Sequence, residues 1–339
     1  MARPATEPVD RHQPATPTPG PPQPRMPAAG RPRHIVDRLI EERAPRLAAG
    51  PWWPLVGPVL RRLLGYSRAR RMADAIAPLS GADAMAHVSA LLSLRLDVRG
   101  LAHLPVRGRC VVIANHPTGI ADGIAVHDAL SAARADLTFF ANADAERVCP
   151  GFADLLIPVP WPPETRTLVA AKRTLGEARA TLTGERVLVV FAAGAMARCR
   201  DGRLEDPPWE HAPVALARRH RAPIVPLHLA GPISHWFHAL DRVSTELRDI
   251  TLFHELLNKV RGRYRVTLGR PLDARHLPRD NTAATRRLQA FVERTLPNQP
   301  DARLAAEDDA GDATGAGACT DAPRDAGGGS FSRRRDPEC

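Results

Sequence analysis

A histidine and an aspartate that could cooperate in proton transfer follow a short apolar run at residues 111–114. Pro117 keeps His116 in extended geometry at the end of this run, and Asp122 lies near the start of a predicted helix. A carboxylate that holds one imidazole nitrogen protonated leaves the other free to accept a proton, so the pair could form a general base with its orienting partner. A structural histidine at a strand end beside an unrelated aspartate explains these residues equally well.

A second apolar run, at residues 187–191, leads into a segment suited to anion binding. Gly194 permits a tight turn, and Arg198 carries a planar fork of donors that matches a phosphate or a carboxylate. Ligands of open α/β folds bind at the edge where the carboxyl ends of parallel strands meet. We therefore expect Arg198 at the same edge as His116, although a turn glycine followed by a solvated arginine is an equally good interpretation.

Both segments need a sheet that places strand ends side by side. Short apolar runs alternate with helical stretches over residues 94–300, which predicts an α/β fold with a largely parallel central sheet and helices on both faces. The predicted strands are Leu94–Val98, Cys110–Ala114, Leu137–Ala141, Leu156–Val159, Val187–Phe191, Ile224–Leu229 and Tyr264–Leu268. The main predicted helices are 120–134, 166–182, 212–220, 245–260 and 282–296. Pro226 indicates a strand end or an edge strand.

Residues 34–93 predict an N-terminal helical segment that associates with a membrane. Pro58 suits the first turn of a helix. The apolar side of this helix comprises Val59, Leu60, Leu63 and Leu64. Two tryptophans precede it and several arginines follow it, an arrangement that suits the boundary between acyl chains and headgroups. A helix packed on the core accounts for the periodicity as well.

Charge and composition limit the partners. The 339-residue chain has a formal net charge of +10 and a pI of about 10.4, which indicates an acidic partner such as anionic lipid, a phosphorylated substrate or nucleic acid. An aromatic content of 4% argues against a stacking platform for single-stranded nucleic acid. Residues 1–33 are Pro-rich and residues 301–339 are rich in Ala, Gly and Asp, so both are predicted to be disordered tails.

Targeting signals and common catalytic motifs are missing from the sequence. No secretory signal and no uncharged apolar run of roughly 18 residues is present, and the five cysteines include no Cys-x-x-Cys pair. We therefore expect a cytoplasmic protein that is peripheral on the inner face of the plasma membrane. There is no Gly-x-Ser-x-Gly elbow, and His235 and His238 lack further ligands at metal-binding spacing, so no metal site is predicted.

The segment from Asn115 to Asp122 resembles the His-x4-Asp motif of the glycerophospholipid acyltransferases. It has the Asn-His-Pro form with one extra residue that occurs in the hemolysin-like and lyso-ornithine-lipid acyltransferase branch. Further stretches are similar to blocks of this branch in the expected order: Phe139–Asn142, Ile157–Val159, Phe191–Arg198, Ile224–Pro226, Leu247–Lys259 and Val266–Pro271. The resemblance covers roughly residues 50–297, and the ordered set is more specific than any one block.

Two departures from the family pattern stand out. Five residues instead of four separate His116 from Asp122, and a bulge at Gly119 would absorb the extra one. The third block lacks its usual proline, acidic and hydroxyl residues. Alanines stand there instead, at Ala192, Ala195 and Ala197.

The resemblance implies a membrane-associated O-acyltransferase of phospholipid and membrane-lipid biosynthesis. It would move a fatty acyl group from acyl-CoA or acyl carrier protein to the hydroxyl of a lysolipid of the 1-acylglycerol-3-phosphate type or a related lysolipid, with no other cofactor. His116 is then the catalytic base and Asp122 its catalytic partner. The residues assigned to substrate binding are Asn115, Gly119, Gly194 and Arg198.

Three alternatives stay open at this point. The acceptor could be a lyso-ornithine lipid, as in the branch that the motif resembles. The chain could be a catalytically inactive lipid-binding protein on the same fold, because the third block has lost polar residues. Nucleic-acid binding rests on the basic charge alone and is not expected.

Overall fold

The computed structural model describes residues 33–160, 167–200, 203–234, 237, 240 and 244–304, without the side chains of residues 199, 200 and 203. Nearly all of the two predicted tails, and both His235 and His238, lie outside these residues.

Nine strands are present in the described residues. They are β1 Arg95–Arg99, β2 Cys110–Ala114, β3 Leu137–Asn142, β4 Leu156–Val159, β5 Val187–Phe191, β6 Arg198–Arg200, β7 Arg203–Glu205, β8 Ile224–Ala230 and β9 Arg263–Leu268. Seven of them form one sheet in the order β1-β9-β8-β2-β5-β3-β4. Strands β8, β2, β5, β3 and β4 run parallel, whereas β9 pairs antiparallel with β8 and parallel with β1. The predicted fold class is confirmed, with two reversed strands at one edge.

Two features of the strands differ from the sequence prediction. Strands β6 and β7 form a separate antiparallel hairpin, which was not predicted. Pro226 lies inside β8, a central strand, and not at an edge. Its carbonyl accepts from the Gly269 N–H, one residue past Leu268, where the β8–β9 pairing stops. A proline is tolerated there because the ladder on that side needs no donor from it.

Twelve α-helices are described. They are α1 Ile35–Arg43, α2 Pro45–Ala49, α3 Trp53–Leu63, α4 Tyr66–Ile76, α5 Gly81–Leu92, α6 Ile120–Leu130, α7 Asp144–Val148, α8 Leu168–Thr183, α9 Ala212–His220, α10 Thr245–Asp249, α11 Leu252–Leu257 and α12 Asn281–Ala290. A π-helical turn, Phe291–Thr295, continues α12. The single helix predicted over 245–260 is therefore two helices, which meet where the Thr251 hydroxyl donates to the Arg248 carbonyl.

The sheet is covered by apolar side chains on both faces. Strand β2 is buried along its whole length, and its residues alternate between the two cores. Val112 packs in a core shared with α1, α4, α5 and α6, whereas Ile113 packs in a core shared with α8, α9 and α12. Burial on both faces explains the continuous apolar run of this strand.

Helix α3 corrects two expectations about the N-terminal helical segment. Pro54 occupies its first turn, and Pro58 lies inside the helix. The predicted apolar side also divides, because Val59 and Leu63 are exposed while Leu60 and Leu64 are half-buried. In the part of the chain that the structure describes, no helix is long and apolar enough to cross a membrane.

Candidate active site

Three adjacent parallel strands, β8, β2 and β5, end at the same edge of the sheet, and the chain after β2 carries the candidate residues. Asn115 ties this exit to β8: its side-chain amide donates to the Leu229 carbonyl at 2.9 Å and accepts from the Leu229 N–H at 2.7 Å. The Asn115 side chain thus fixes the direction in which the backbone leaves β2. Its assignment to substrate binding stays a prediction.

His116 and Asp122 meet as the sequence predicts. Nδ1 of His116 lies 2.9 Å from Oδ2 of Asp122, whose side chain is fully buried. The same carboxylate accepts from the N–H groups of Thr118 and Gly119, at 2.8 and 3.1 Å, and from the Thr118 hydroxyl. Four donors therefore satisfy a buried charge and fix it beside the imidazole.

The extra residue between His116 and Asp122 is absorbed at Gly119. Its φ of +90° is one that residues with a side chain rarely adopt, and it forms the N-cap of α6. A Cβ at this position would meet the flexible thioether of Met196, which can move aside, so the backbone geometry is what selects glycine. Asp122 is the third residue of the helix, and its carboxylate caps the helix while it binds His116.

The imidazole is held so that one nitrogen remains available. Its ring stacks on Phe191 at a centroid distance of 4.5 Å and an angle of 26°, and the side chain is 19% exposed. Nδ1 is occupied by Asp122, whereas Nε2 has no hydrogen bond to any of the described residues. A histidine in this state can accept a proton at Nε2 from a hydroxyl group that enters from solvent.

The third block contacts His116 through its main chain. The N–H of Ala197 donates to the His116 carbonyl at 2.9 Å, and the N–H of Ala192 donates to the Ala114 carbonyl at 3.1 Å. The side chains of Ala192 and Ala197 are buried, so polar groups there would need partners of their own. Two of the three alanines that depart from the family pattern are thus compatible with a positioned base.

The predicted anion-binding residues lie on the segment that touches His116. Gly194 has a φ of +62°, and a Cβ there would meet only open space, so its backbone conformation is what requires glycine. Arg198 is exposed and directly follows Ala197. It begins β6 and lies opposite Glu205 in the hairpin. The roles of Gly194 and Arg198 in substrate binding stay predictions.

Two supporting residues were missed by sequence reasoning. The hydroxyl of Tyr264, on β9, lies 2.8 Å from the Thr118 hydroxyl and extends the network behind Asp122. Burial raises the pKa of Tyr264, and the Asp122 charge adds to the shift, so it stays a neutral hydrogen-bonding group. In the sequence, Tyr264 lies in an ordinary predicted strand with nothing to mark it. Only the reversed pairing of β9 brings it to the site.

The second missed residue is Asp206, which follows the hairpin. Its carboxylate accepts from the His116 N–H, with N–O distances of 3.1 and 3.3 Å, and from Nε1 of Trp209 at 2.9 Å. Burial raises the pKa of Asp206 from 3.8 to about 6, against the lowering effects of Trp209 and His116. No local pattern marks this residue, since its contact spans ninety positions.

The described residues contain no group of three or more histidine, cysteine, aspartate or glutamate side chains that could hold a metal ion.

Comparisons with known proteins find similarity to acyltransferases. A model of the Acyltransferase family matches residues 95–230, which include the dyad and the third block. A lyso-glycine lipid O-acyltransferase of Phocaeicola vulgatus is 24% identical over 211 residues, covering 60% of this chain and 74% of the relative. The protein of the same description from Bacteroides thetaiotaomicron is 23% identical over 210 residues, covering 60% and 75%.

Among solved structures, the chain is similar to the crystal structure of the 1-acyl-sn-glycerophosphate (LPA) acyltransferase PlsC from Thermotoga maritima. The TM-score is 0.42 at 15% identity, and the match covers 80% of this chain and 99% of that one.

Gly119→Ala should lower the free energy of unfolding by roughly 1–3 kcal/mol, because it forces an alanine into a disfavoured backbone region at a φ of +90°. Gly123→Ala is the matched control: it lies inside α6 with open space around its Cβ, and should raise stability by about 0.5–1 kcal/mol. Chemical denaturation of the two variants measures both changes. Equal stability would contradict the role given to Gly119.

Proposed function

Because the chain belongs to the glycerophospholipid acyltransferase superfamily, we propose that it transfers a fatty acyl group from a thioester to the hydroxyl of a lysolipid. One observation supports this reaction above all: at a strand end, Asp122 holds Nδ1 of His116 while no described residue hydrogen-bonds its Nε2. A thioester is an activated acyl donor, so the enzyme needs a base for the attacking hydroxyl more than it needs a covalent nucleophile.

The proposed reaction runs in two steps. Nε2 of His116 removes the proton of the lysolipid hydroxyl as its oxygen attacks the thioester carbonyl carbon, and Asp122 stabilises the resulting imidazolium. The tetrahedral intermediate then collapses, the carbon–sulfur bond breaks, and the imidazolium returns a proton to the leaving thiolate. The products are an ester of the lysolipid and a free thiol, and His116 is again neutral.

The acyl donor is proposed to be acyl-CoA or an acylated acyl carrier protein, with no further cofactor. The acceptor is proposed to be a lysolipid, and two headgroup chemistries compete. The curated relatives are named for a lyso-glycine lipid, which favours an amino-acid headgroup related to the lyso-ornithine lipids. The second candidate is a phosphate headgroup of the 1-acylglycerol-3-phosphate type.

A direct assay distinguishes the two candidate headgroups. Purified protein is incubated with labelled acyl-CoA or acyl carrier protein and with lysophosphatidic acid, lyso-glycine lipid or lyso-ornithine lipid, and products are identified by mass. Faster turnover of the amino-acid lipids would favour that headgroup. Lysolipid binding without transfer to any acceptor would favour the inactive lipid-binding alternative.

His116→Ala should lower turnover by about 10³-fold or more while the protein remains folded, because no other group replaces the base. His87→Ala is the control, since His87 is exposed on α5. Turnover is followed by mass spectrometry and folding by thermal unfolding. Near-wild-type turnover in folded His116→Ala protein would refute the assignment of His116 as the base.

We propose that Arg198 binds the anionic headgroup of the acceptor. It is exposed next to Ala197, whose N–H is bonded to the His116 carbonyl, so a headgroup there would lie near the base. Its guanidinium could donate two parallel hydrogen bonds to a phosphate or a carboxylate.

Arg198→Ala should raise the KM for the acceptor about tenfold or more, with little change in the KM for the donor. Arg107→Ala, at an exposed position between β1 and β2, serves as the control and should change neither value. If the donor KM alone increases, Arg198 serves the thioester and not the acceptor.

We further propose that α3 and the residue before it bind an anionic membrane surface. The exposed apolar side chains here are Trp52, Leu55, Val56, Val59 and Leu63. The opposite side of the helix packs inward, where Leu60 lines a small cavity with Ile250 and Phe253. Arginines line an open groove beside the exposed face, namely Arg61, Arg62 and Arg68. Apolar side chains bordered by arginines suit insertion among anionic lipid headgroups.

The double variant Val59→Asp, Leu63→Asp should weaken binding to phosphatidylglycerol-containing vesicles by about tenfold or more, because two apolar insertions become charged. Vesicle co-sedimentation measures this binding. Val106→Asp is the control: Val106 is 81% exposed but lies outside α3. An equal loss in both proteins, or no loss in the double variant, would contradict the membrane face.

A further inference from the structure

A second carboxylate faces His116, independently of Asp122. Asp206 accepts the backbone N–H of His116, and the Ala197 N–H donates to the carbonyl of the same residue. Both backbone polar groups of the candidate base are therefore bonded to the chain between β5 and α9. A peptide held at both groups restricts the direction of its side chain.

Asp206 is itself held by the C-terminal part of the chain. The indole of Trp209 donates to its carboxylate, and the backbone N–H of Trp209 donates to the Gln289 side chain on α12 at 3.2 Å. Gln289 also donates to the Pro207 carbonyl at 3.3 Å and to Glu293 at 3.0 Å. Glu293 lies in the π-helical turn that follows α12. The carboxylate thus has a fixed direction toward His116.

The ionised form of Asp206 is costly to keep. Its pKa in the folded protein, about 6, is above the 3.8 of an exposed aspartate. Its stabilising contribution is fully present below pH 3.8 and is lost as pH rises through 6, because the folded protein then buries a charge. At neutral pH the folded protein therefore holds a buried, ionised Asp206 beside His116, although this charge destabilises the fold.

We propose that Asp206 is a positioning residue for the acyl transfer: it fixes the backbone of His116 and places a second negative charge beside the imidazole that is protonated during the reaction. The effect on turnover rests on the proposed function, whereas the contact with His116 does not. Asp122 orients the ring through Nδ1, and Asp206 acts through the peptide and through space.

Among the described residues, charged groups on two elements influence Asp206. His116, after β2, lowers its pKa, and Glu293, after α12, raises it. Glu205 on β7 raises the pKa of Glu293, so the acidic groups influence one another. Trp209 lowers the pKa of Asp206 through a neutral hydrogen bond. Removing Trp209 or Glu293 therefore should shift the titration of Asp206 in opposite directions.

Titration of full-length protein by NMR tests the placement without any substrate. The Asp206 carboxyl carbon and the His116 amide proton should both titrate with a midpoint near pH 6. Trp209→Phe should raise this midpoint and Glu293→Gln should lower it, while Asp206→Asn should abolish it at the His116 amide. A midpoint that neither variant moves, or a His116 amide that does not titrate, overturns the inference.

Kinetics test the consequence. Asp206→Asn should lower kcat about tenfold, because the imidazole that is protonated during the reaction loses a neighbouring negative charge, with both KM values nearly unchanged. The acidic limb of kcat/KM should move to higher pH in Trp209→Phe and to lower pH in Glu293→Gln. Wild-type kcat and pH profile in folded Asp206→Asn protein would overturn the role. Wild-type protein without turnover on any acceptor would instead refute the proposed function, and the NMR titration would still decide the placement.

Discussion

The Asp122 carboxylate is the interaction on which the candidate site depends. It is fully buried, so it must be satisfied by donors, and those donors are the residues that form the turn between β2 and α6. The same atoms cap the helix, stabilise the turn around Gly119 and hold Nδ1 of His116. The contacts that stabilise this turn therefore also orient the imidazole. An additional residue in the motif is accommodated because glycine can adopt the backbone conformation that returns Asp122 to the ring.

The surroundings of His116 also explain how the third block can change its side chains and still contact His116. Ala197 contacts His116 through a backbone N–H, which every residue except proline provides. Phe191, at the end of β5, supplies the ring face. The main chain of this block runs beside β2 and so reaches His116. Its course is set by the parallel pairing of β2 with β5. The side chain of Arg198, directly after Ala197, is exposed and lies outside this main-chain contact.

The sequence predicted the parts that depend on local pattern and missed those that depend on distant pairing. Strands β2, β4 and β5 have the predicted bounds because their apolar runs are sharply limited. The His116–Asp122 contact was predicted because turn, glycine and helix start are consecutive. Pro226 was misplaced because its tolerance depends on where the β8–β9 ladder ends. Asp206 and Tyr264 were missed for the same reason: only the tertiary fold brings them to His116 and Thr118.

These distant contacts define how much of the chain the site requires. The matched family segment, residues 95–230, contains His116, Asp122 and the third block but ends before β9 and α12. A chain that stopped there would lose Tyr264, which hydrogen-bonds the Thr118 hydroxyl behind Asp122. It would also lose Gln289, which braces the loop of Asp206. The Trp209 N–H would then lose its partner and the Thr118 hydroxyl would keep only its bond to Asp122, and buried polar groups are costly when unpaired. The structural unit that positions the imidazole is therefore larger than the segment that carries the motif, because it includes β9 and α12.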